Sequence, residues 1–128
     1  MTINAISPQA LSEMLQDKTA ILIDVREAFE FKNQSIPHAN HIPLANINAD
    51  IINQFPKDTL LVLQCKSGMR SLSAYQLLHS LGFNNIANLE GGIIAWSKAG
   101  LPTLEAKSYP YSYIILAGLI LTLFVLSR

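Results

Sequence analysis

The stretch Leu60-Leu-Val-Leu-Gln-Cys65-Lys-Ser-Gly-Met-Arg70-Ser71 decides the fold, because it joins two kinds of secondary structure through one short loop. Its first four residues form a continuous apolar run, the pattern of a parallel strand buried on both faces. After the loop, apolar residues recur at helical spacing from Leu72 to Leu81, and Gly82 is a typical helix stop. The stretch therefore predicts a strand, a loop and a helix.

The segments on either side alternate between strand and helix in the same way. Ser7-Pro8 and the apolar residues after it predict a helix to about Gln16. Residues 20–23 predict a buried strand, and residues 86–89 predict a further strand. A short helix is predicted near residues 27–31, a turn near Pro37, a short strand near residues 41–42 and a helix near residues 49–55. A last helix is predicted from Gly91-Gly92 to about Ala99. We expect this glycine pair to permit close helix packing, and Ile93 and Trp96 to lie in the core. The predicted fold class is α/β, a parallel sheet flanked by helices.

Composition limits the number of domains and the class of partner. The chain of 128 residues has room for one ordinary domain, which we place at residues 1–106. Nine basic and nine acidic residues leave no net charge, so nucleic-acid binding is not expected. A single cysteine excludes an internal disulfide, and the three scattered histidines do not suggest a metal site. We predict neither a metal nor an organic cofactor.

Residues 107–128 differ from the rest of the chain. From Tyr109 to Ser127 no side chain is charged. A helix of this segment would reach about 28 Å, close to the ~30 Å of a bilayer's hydrocarbon core. Tyrosines at its start and Arg128 at its end suit the two membrane interfaces. We predict one C-terminal transmembrane helix, the alternative being a buried terminal helix or a dimer contact. Because the N-terminus lacks the pattern of a secretory signal, we expect the folded domain in the cytoplasm.

Cys65 begins the loop that joins the predicted strand to the predicted helix, the place where ligands bind in open α/β sheets. A short loop containing Gly68 can turn several backbone N–H groups toward one point, which attracts an anion. Lys66 and Arg70 add positive charge, so we expect the thiol pKa to fall from ~8.5 toward the ~3.5–7.5 range of activated cysteines. A lone cysteine is more often a small buried apolar residue, but such a residue needs neither the glycine nor the cations.

Four segments follow one another in a characteristic order: Leu22-Ile-Asp24-Val25-Arg26-Glu27, Ile36-Pro37-His38-Ala39-Asn40-His41-Ile42-Pro43-Leu44, Cys65-Lys66-Ser67-Gly68-Met69-Arg70-Ser71 and Leu89-Glu90-Gly91-Gly92-Ile93-Ile94-Ala95-Trp96. In this order and spacing they resemble the rhodanese family of single-domain sulfurtransferases. The resemblance covers roughly residues 3–104. It implies a cysteine that takes a sulfane sulfur from a thiosulfate-like donor, holds it as a persulfide and passes it to a thiophilic acceptor, cyanide or a thiol.

The resemblance also implies a role for particular residues. It makes Cys65 the catalytic residue and assigns binding of the donor to the loop residues Lys66, Ser67, Gly68, Met69 and Arg70. A charge cluster that braces the loop is expected from Asp24, Arg26 and Glu30. Many family members have a histidine and a glycine where this chain has Ser35 and His38, so the turn there is expected to differ, and neither residue is given a catalytic role.

Two other functions stay open at this point. A phosphatase or arsenate reductase also has a cysteine at the start of an anion loop that ends in arginine. Protein tyrosine phosphatases are similar but have one more residue in the loop than the four of Lys66–Met69. A membrane-bound sulfur carrier or docking module would use the same loop without turning over free substrates. We expect an enzyme, with a small sulfur donor and an external acceptor as its partners.

Overall fold

The strand that precedes Cys65 is the central strand of the sheet. The computed structural model describes residues 2–106. The elements are, in chain order, β1 (Ala5–Ile6), α1 (Pro8–Gln16), β2 (Ala20–Asp24), α2 (Ala28–Asn33), β3 (Gln34–Ser35), β4 (Asn40–His41), a 3₁₀ turn (Leu44–Asn46), α3 (Ala49–Ile52), β5 (Leu60–Gln64), α4 (Met69–Ser80), β6 (Ile86–Leu89), α5 (Gly92–Lys98) and β7 (Leu104–Glu105).

Five parallel strands form the main sheet in the order β1-β6-β5-β2-β4. Because all five run in the same direction, their carboxyl ends meet at one edge. Asp24 and Gln64 are paired in register at that edge, directly before the chain leaves β2 and β5. The predicted parallel sheet is confirmed, and its central strand delivers Cys65 to the edge where ligands bind in such folds.

Helices cover both faces of this sheet, which explains why its strands are apolar on both sides. On one face Leu61 and Leu63 of β5 pack with Ala74 and Leu78 of α4. The opposite face is covered by α1 and α5, and its buried cluster is made of Leu11, Ala20, Leu22, Ile36, Val62, Ala87, Leu89, Ile93 and Trp96. The core positions predicted for Ile93 and Trp96 are therefore confirmed.

Several predicted boundaries differ from the structure. The helix predicted over residues 49–55 ends at Ile52, and the residues after it form turns before Pro56. Phe55 directly precedes this proline and is disfavoured in helical geometry, so the helix is not expected to reach residue 55. The two-residue strands β1, β3 and β7 were not predicted. At the turn that was expected to differ, His38 has a φ of +68°. This residue therefore keeps the left-handed conformation that favours glycine.

Strand β7 pairs antiparallel with β3, Leu104 with Ser35 and Glu105 with Gln34. The amide of Ala106 then donates to the carbonyl of Asn33 over 2.8 Å. The described chain thus ends against the segment that follows α2. Among residues 2–106, no helix has the length and apolar character needed to cross a bilayer. The predicted transmembrane helix over residues 107–128 lies outside the described residues.

Candidate active site: the Cys65 loop

The backbone of the Cys65 loop is fixed from outside by the start of α5. The amides of Ile93 and Ile94 donate to the carbonyl oxygens of Cys65 and Lys66 over 2.9 and 3.1 Å. With these carbonyls turned toward α5, a later amide of the loop faces the sulfur, and Gly68 donates to Cys65 Sγ over 3.1 Å. Gly68 has a φ of +108° and is the N-cap of α4. The amides of Ser67 and Ser71 also act on this sulfur, so the loop turns several N–H groups toward one point, as predicted.

Helix α5 approaches the loop this closely only because residue 92 has no side chain. A Cβ at Gly92 would lie 2.5 Å from the carbonyl oxygens of both Cys65 and Lys66. The φ of Gly92 is also +61°, which side chains disfavour. The expected role of this glycine in close packing is confirmed, and the surface it packs against is the backbone of the loop.

The sulfur of Cys65 is buried, yet its surroundings favour the ionised form. The residue is 1 % exposed. Burial is the largest influence and raises its pKa, but hydrogen bonds from the Ser71 hydroxyl and from the amides of Ser71, Gly68 and Ser67 together outweigh it, so that the pKa of Cys65 lies below its ordinary value. The predicted lowering is found, but hydrogen-bond donors cause it to a larger extent than the expected cations.

Arg70 forms a two-pronged ion pair with Glu30 instead of pointing its guanidinium at the sulfur. Its Nη1 and Nη2 atoms donate to the two carboxylate oxygens over 2.7 and 2.8 Å. The hydrogen bond from Arg70 is the largest influence on Glu30 and lowers its pKa from 4.5 to about 2. In turn the pKa of Arg70 is raised, mainly by Glu30 and to a smaller extent by the charge of Cys65. The pair ties α2 to the start of α4.

Asp24 and Arg26 form a second ion pair, buried at the carboxyl end of β2. Arg26 donates to both carboxylate oxygens of Asp24, the shortest contact being 2.8 Å, and it also donates to the carbonyl of Gln34 over 2.6 Å. The side chains are 5 % and 0 % exposed. The expected single cluster of Asp24, Arg26 and Glu30 is thus two separate pairs, because Glu30 bonds to Arg70. Their bracing role stays a prediction.

Two residues that contact the loop had no role in the sequence prediction. The Ser71 hydroxyl lies 3.4 Å from Cys65 Sγ and 3.2 Å from the carbonyl oxygen of Gly68. The same carbonyl accepts a hydrogen bond from Asn88 Nδ2 over 3.4 Å. For Ser71 the sequence did contain a signal, because its hydroxyl follows Cys65 by six residues and lies in the first turn of the predicted helix. Asn88 gave none, since its contact depends on the pairing of β6 with β5.

The remaining loop residues form the rim. Lys66 and Ser67 are exposed, and Met69 is 71 % exposed. Beside Lys66 a groove of about 680 Å³ opens between α2 and α5. The loop residues predicted to bind the donor are therefore brought together around Cys65, with Arg70 held to one side by Glu30.

The sequence model of the rhodanese-like domain matches residues 7–99, which is most of the chain. The chain belongs to the rhodanese-like domain family. Its matched part begins in front of α1 and ends directly after α5, so it contains the whole loop and the helix that holds it.

Relatives and a solved structure extend this comparison. The rhodanese-like chain is 38% identical over 106 residues to a sulfurtransferase of Allochromatium vinosum, covering 82% of this chain and 98% of that protein. It is 27% identical over 101 residues to a thiosulfate sulfurtransferase, GlpE, of Glaesserella parasuis, covering 79% and 93%. A rhodanese-related protein from Thermoplasma volcanium superposes with a TM-score of 0.70 at 32% identity, over 79% of this chain and 97% of the other.

Proposed function

We propose that the chain is a sulfurtransferase that moves a sulfane sulfur from a thiosulfate-like donor to a thiophilic acceptor through a persulfide on Cys65. The observation that carries the proposal is the set of donors around Cys65 Sγ, with Gly68 N at 3.1 Å and Ser71 Oγ at 3.4 Å. Such donors favour a thiolate, the form in which a cysteine is nucleophilic. Sulfur transfer is also the activity named for relatives of the chain.

In the first step the Cys65 thiolate attacks the outer sulfur of thiosulfate. A bond forms between Sγ and that sulfur, the sulfur–sulfur bond of thiosulfate breaks, and sulfite leaves with the electron pair. Because Cys65 is 1 % exposed, a donor that presents one slender terminal sulfur suits the site better than one that presents a branched group. The loop amides and the side chains of Lys66 and Arg70 are suited to hold the anion.

In the second step the acceptor attacks the outer sulfur of the persulfide. With cyanide, a carbon–sulfur bond forms, the bond between Sγ and the outer sulfur breaks, and Cys65 is returned as a thiolate together with thiocyanate. The donors around Sγ stabilise the charge that returns to it. As the sequence contains one cysteine, the acceptor has to be a separate molecule.

The proposal includes the position of the protein in the cell. Residues 107–128 would anchor it to a membrane by one helix, with the catalytic domain in the cytoplasm, and this is supported by the uncharged stretch from Tyr109 to Ser127. Small sulfur compounds are the proposed partners. The equal numbers of acidic and basic residues support a protein that does not bind nucleic acid.

The test uses the full chain, purified in detergent and incubated with thiosulfate. Mass spectrometry should find one added sulfur atom on Cys65, and cyanide should then release thiocyanate. Cys65→Ala should do neither while its circular dichroism stays unchanged. A sulfur adduct without turnover would indicate a carrier, no adduct would indicate a docking module, and phosphatase activity that requires Cys65 would replace the proposal with phosphoryl transfer.

A further inference from the structure

The groove between α2 and α5 combines an apolar lining with two lysines. Phe29 is 74% exposed and Ile94 is 39% exposed, and both line the groove together with Lys66 and Lys98. Exposed apolar side chains gathered at one place on a surface mark a binding region more often than scattered ones do. Lys66 links this region to the active site, because it directly follows Cys65.

The charges of the groove are those of an anion site. Neither Lys66 nor Lys98 forms an ion pair with any residue between 2 and 106. The groove's acidic residue, Glu30, is bonded to Arg70, and its third cation, Arg26, is bonded to Asp24. The two lysines therefore present positive charge beside an apolar surface. Cyanide would use neither feature.

We propose that this groove binds the sulfur acceptor, and that the acceptor is an organic thiol that carries carboxylate groups. Its carbon skeleton lies against Phe29 and Ile94, its carboxylates face Lys66 and Lys98, and its thiolate reaches the persulfide. A bond forms between the acceptor sulfur and the outer sulfur of the persulfide, the bond from that sulfur to Cys65 Sγ breaks, and the electron pair returns to Sγ. The inference rests on the proposed function and names the substrate class of its second step.

The test compares two acceptors that differ in charge. With thiosulfate as donor and the full chain as enzyme, kcat/KM is measured for mercaptosuccinate and for 2-mercaptoethanol, and their ratio is the readout because it cancels effects on persulfide formation. Lys98→Glu should lower the ratio about tenfold, and added salt should lower it in the unaltered chain. Lys57→Glu is the control, since Lys57 precedes β5 at the opposite edge of the sheet and should leave the ratio unchanged.

Two results would overturn the inference: a ratio that Lys98→Glu leaves unchanged, or one that Lys57→Glu lowers as much. The proposed function has a separate readout, which is thiocyanate production by the unaltered chain. If thiocyanate forms and the ratio does not respond, sulfur transfer stands and the groove assignment falls. If no thiocyanate forms and no thiol is persulfidated, the proposed function falls and the groove assignment falls with it.

A different observation concerns Asn88, which is buried beside the loop. Asn88 lies in β6 in register with Leu63, two residues before the cysteine, and is 8% exposed. Its Nδ2 donates to the carbonyl of Gly68, while its Oδ1 has no partner among the described residues. The Ser71 hydroxyl has one proton and two acceptors in reach, Cys65 Sγ and that same Gly68 carbonyl.

We infer that Asn88 is a positioning residue that acts through Ser71. By donating to the Gly68 carbonyl, Asn88 satisfies the acceptor that competes with the sulfur, which directs the Ser71 proton to Cys65. When the negative charge moves to the outer sulfur of the persulfide, the hydroxyl can turn back to the carbonyl. The arrangement thus favours the Cys65 thiolate before the persulfide forms and again after the outer sulfur has been transferred.

The pH dependence of alkylation by iodoacetamide tests this on the full chain. Asn88→Ala should move the midpoint upward by about half a pH unit, as expected for the loss of one hydrogen bond. Ser71→Ala should move it in the same direction, and adding Asn88→Ala to Ser71→Ala should move it no further. Asn85→Ala is the matched control, because Asn85 also donates to a backbone carbonyl, that of Lys57, over 3.4 Å.

Additive shifts, or no shift with Asn88→Ala, would overturn the assignment. A purely structural role would weaken the fold without moving the midpoint of the molecules that remain folded. If Asn88→Ala does not fold, Asn88→Leu removes the same donor while filling the space, and the same midpoints are read from it.

Discussion

Cys65 stands at the end of a buried strand, where an ionised thiol would ordinarily be disfavoured. Its ionisation depends on donors whose positions are set by other parts of the chain: Gly68 by its left-handed backbone, Ser71 by the first turn of α4. Because neutral donors surround the sulfur, the cations Lys66 and Arg70 are not the main cause of its ionisation. In the proposed reaction these two side chains act on the donor anion instead.

If neutral donors ionise the thiol and cations act on the donor anion, replacing Arg70 should affect substrate binding more than the pKa of Cys65. Arg70→Ala should raise the KM for thiosulfate about tenfold or more, because it removes a cation and leaves the Glu30 carboxylate unpaired beside the anion site. The midpoint of Cys65 alkylation should move far less than with Ser71→Ala. Steady-state kinetics and alkylation across pH measure the two effects. A large midpoint shift with an unchanged KM would contradict the division of roles.

At the scale of single residues, the sequence predicted the loop but not the long-range contacts that support it. Cys65, Gly68 and Arg70 could be predicted because they lie within six consecutive positions, and their order carries the chemistry. Glu30 is 40 residues from Arg70 and Asn88 is 20 residues from Gly68. Such contacts depend on which strands are neighbours, and a single sequence does not contain this information.

At the scale of elements, the packing of α5 on the loop is the contact most sensitive to change. Gly92→Ala should destabilise the fold by more than the ~1 kcal/mol that a left-handed backbone costs a residue with a side chain, because its Cβ would overlap two carbonyl oxygens. It should also reduce sulfur transfer. Urea unfolding and thiocyanate production measure both. Gly100→Ala is the control, since Gly100 has a φ of +75° and nothing within 4 Å of the added Cβ; equal losses would contradict the overlap.

The ion pair between Glu30 of α2 and Arg70 of α4 predicts that the stability of the fold depends on pH. Glu30 has a pKa of about 2 in the folded chain against 4.5 as its ordinary value. Its pair with Arg70 therefore stabilises the fold fully above about pH 4.5, and this stabilisation is lost as the pH falls through about 2. The difference in unfolding free energy between the unaltered chain and Glu30→Gln should be smaller at pH 3 than at pH 7. Glu13→Gln, on the exposed side of α1, is the control; a difference that grows at pH 3 would contradict the pair.

The elements that could be predicted are those whose pattern is long enough to read. Four apolar residues in a row identified β2 and β5, and a cap with proline identified α1. The strands β3 and β7 have two residues each and lie about 70 positions apart. No periodicity can be read from two residues, so they were missed. The same limit applies to β1.

For the whole molecule, the pairing of β3 with β7 decides where the chain can be truncated without destabilising the folded domain. The rhodanese-like match ends at residue 99, but the chain continues in contact with the domain. Glu105 pairs with Gln34, and Ala106 donates to Asn33. Gln34 is also the residue whose carbonyl accepts from Arg26. A cut at residue 99 would therefore expose the segment that holds the buried Asp24–Arg26 pair, whereas a cut after residue 106 keeps β7 and its pairing with β3.

We accordingly expect residues 1–106 to fold and to transfer sulfur as the full chain does, and residues 1–99 to be less stable, because they lack β7 and its pairing with β3. If residues 107–128 form a membrane anchor, the full chain should sediment with membranes and resist extraction by high salt, while residues 1–106 should stay in the supernatant. Urea unfolding, thiocyanate production and membrane fractionation measure these three properties. Loss of folding in residues 1–106 would mean that the C-terminal segment belongs to the core, since an anchor contributes nothing to the buried clusters on the two faces of the sheet.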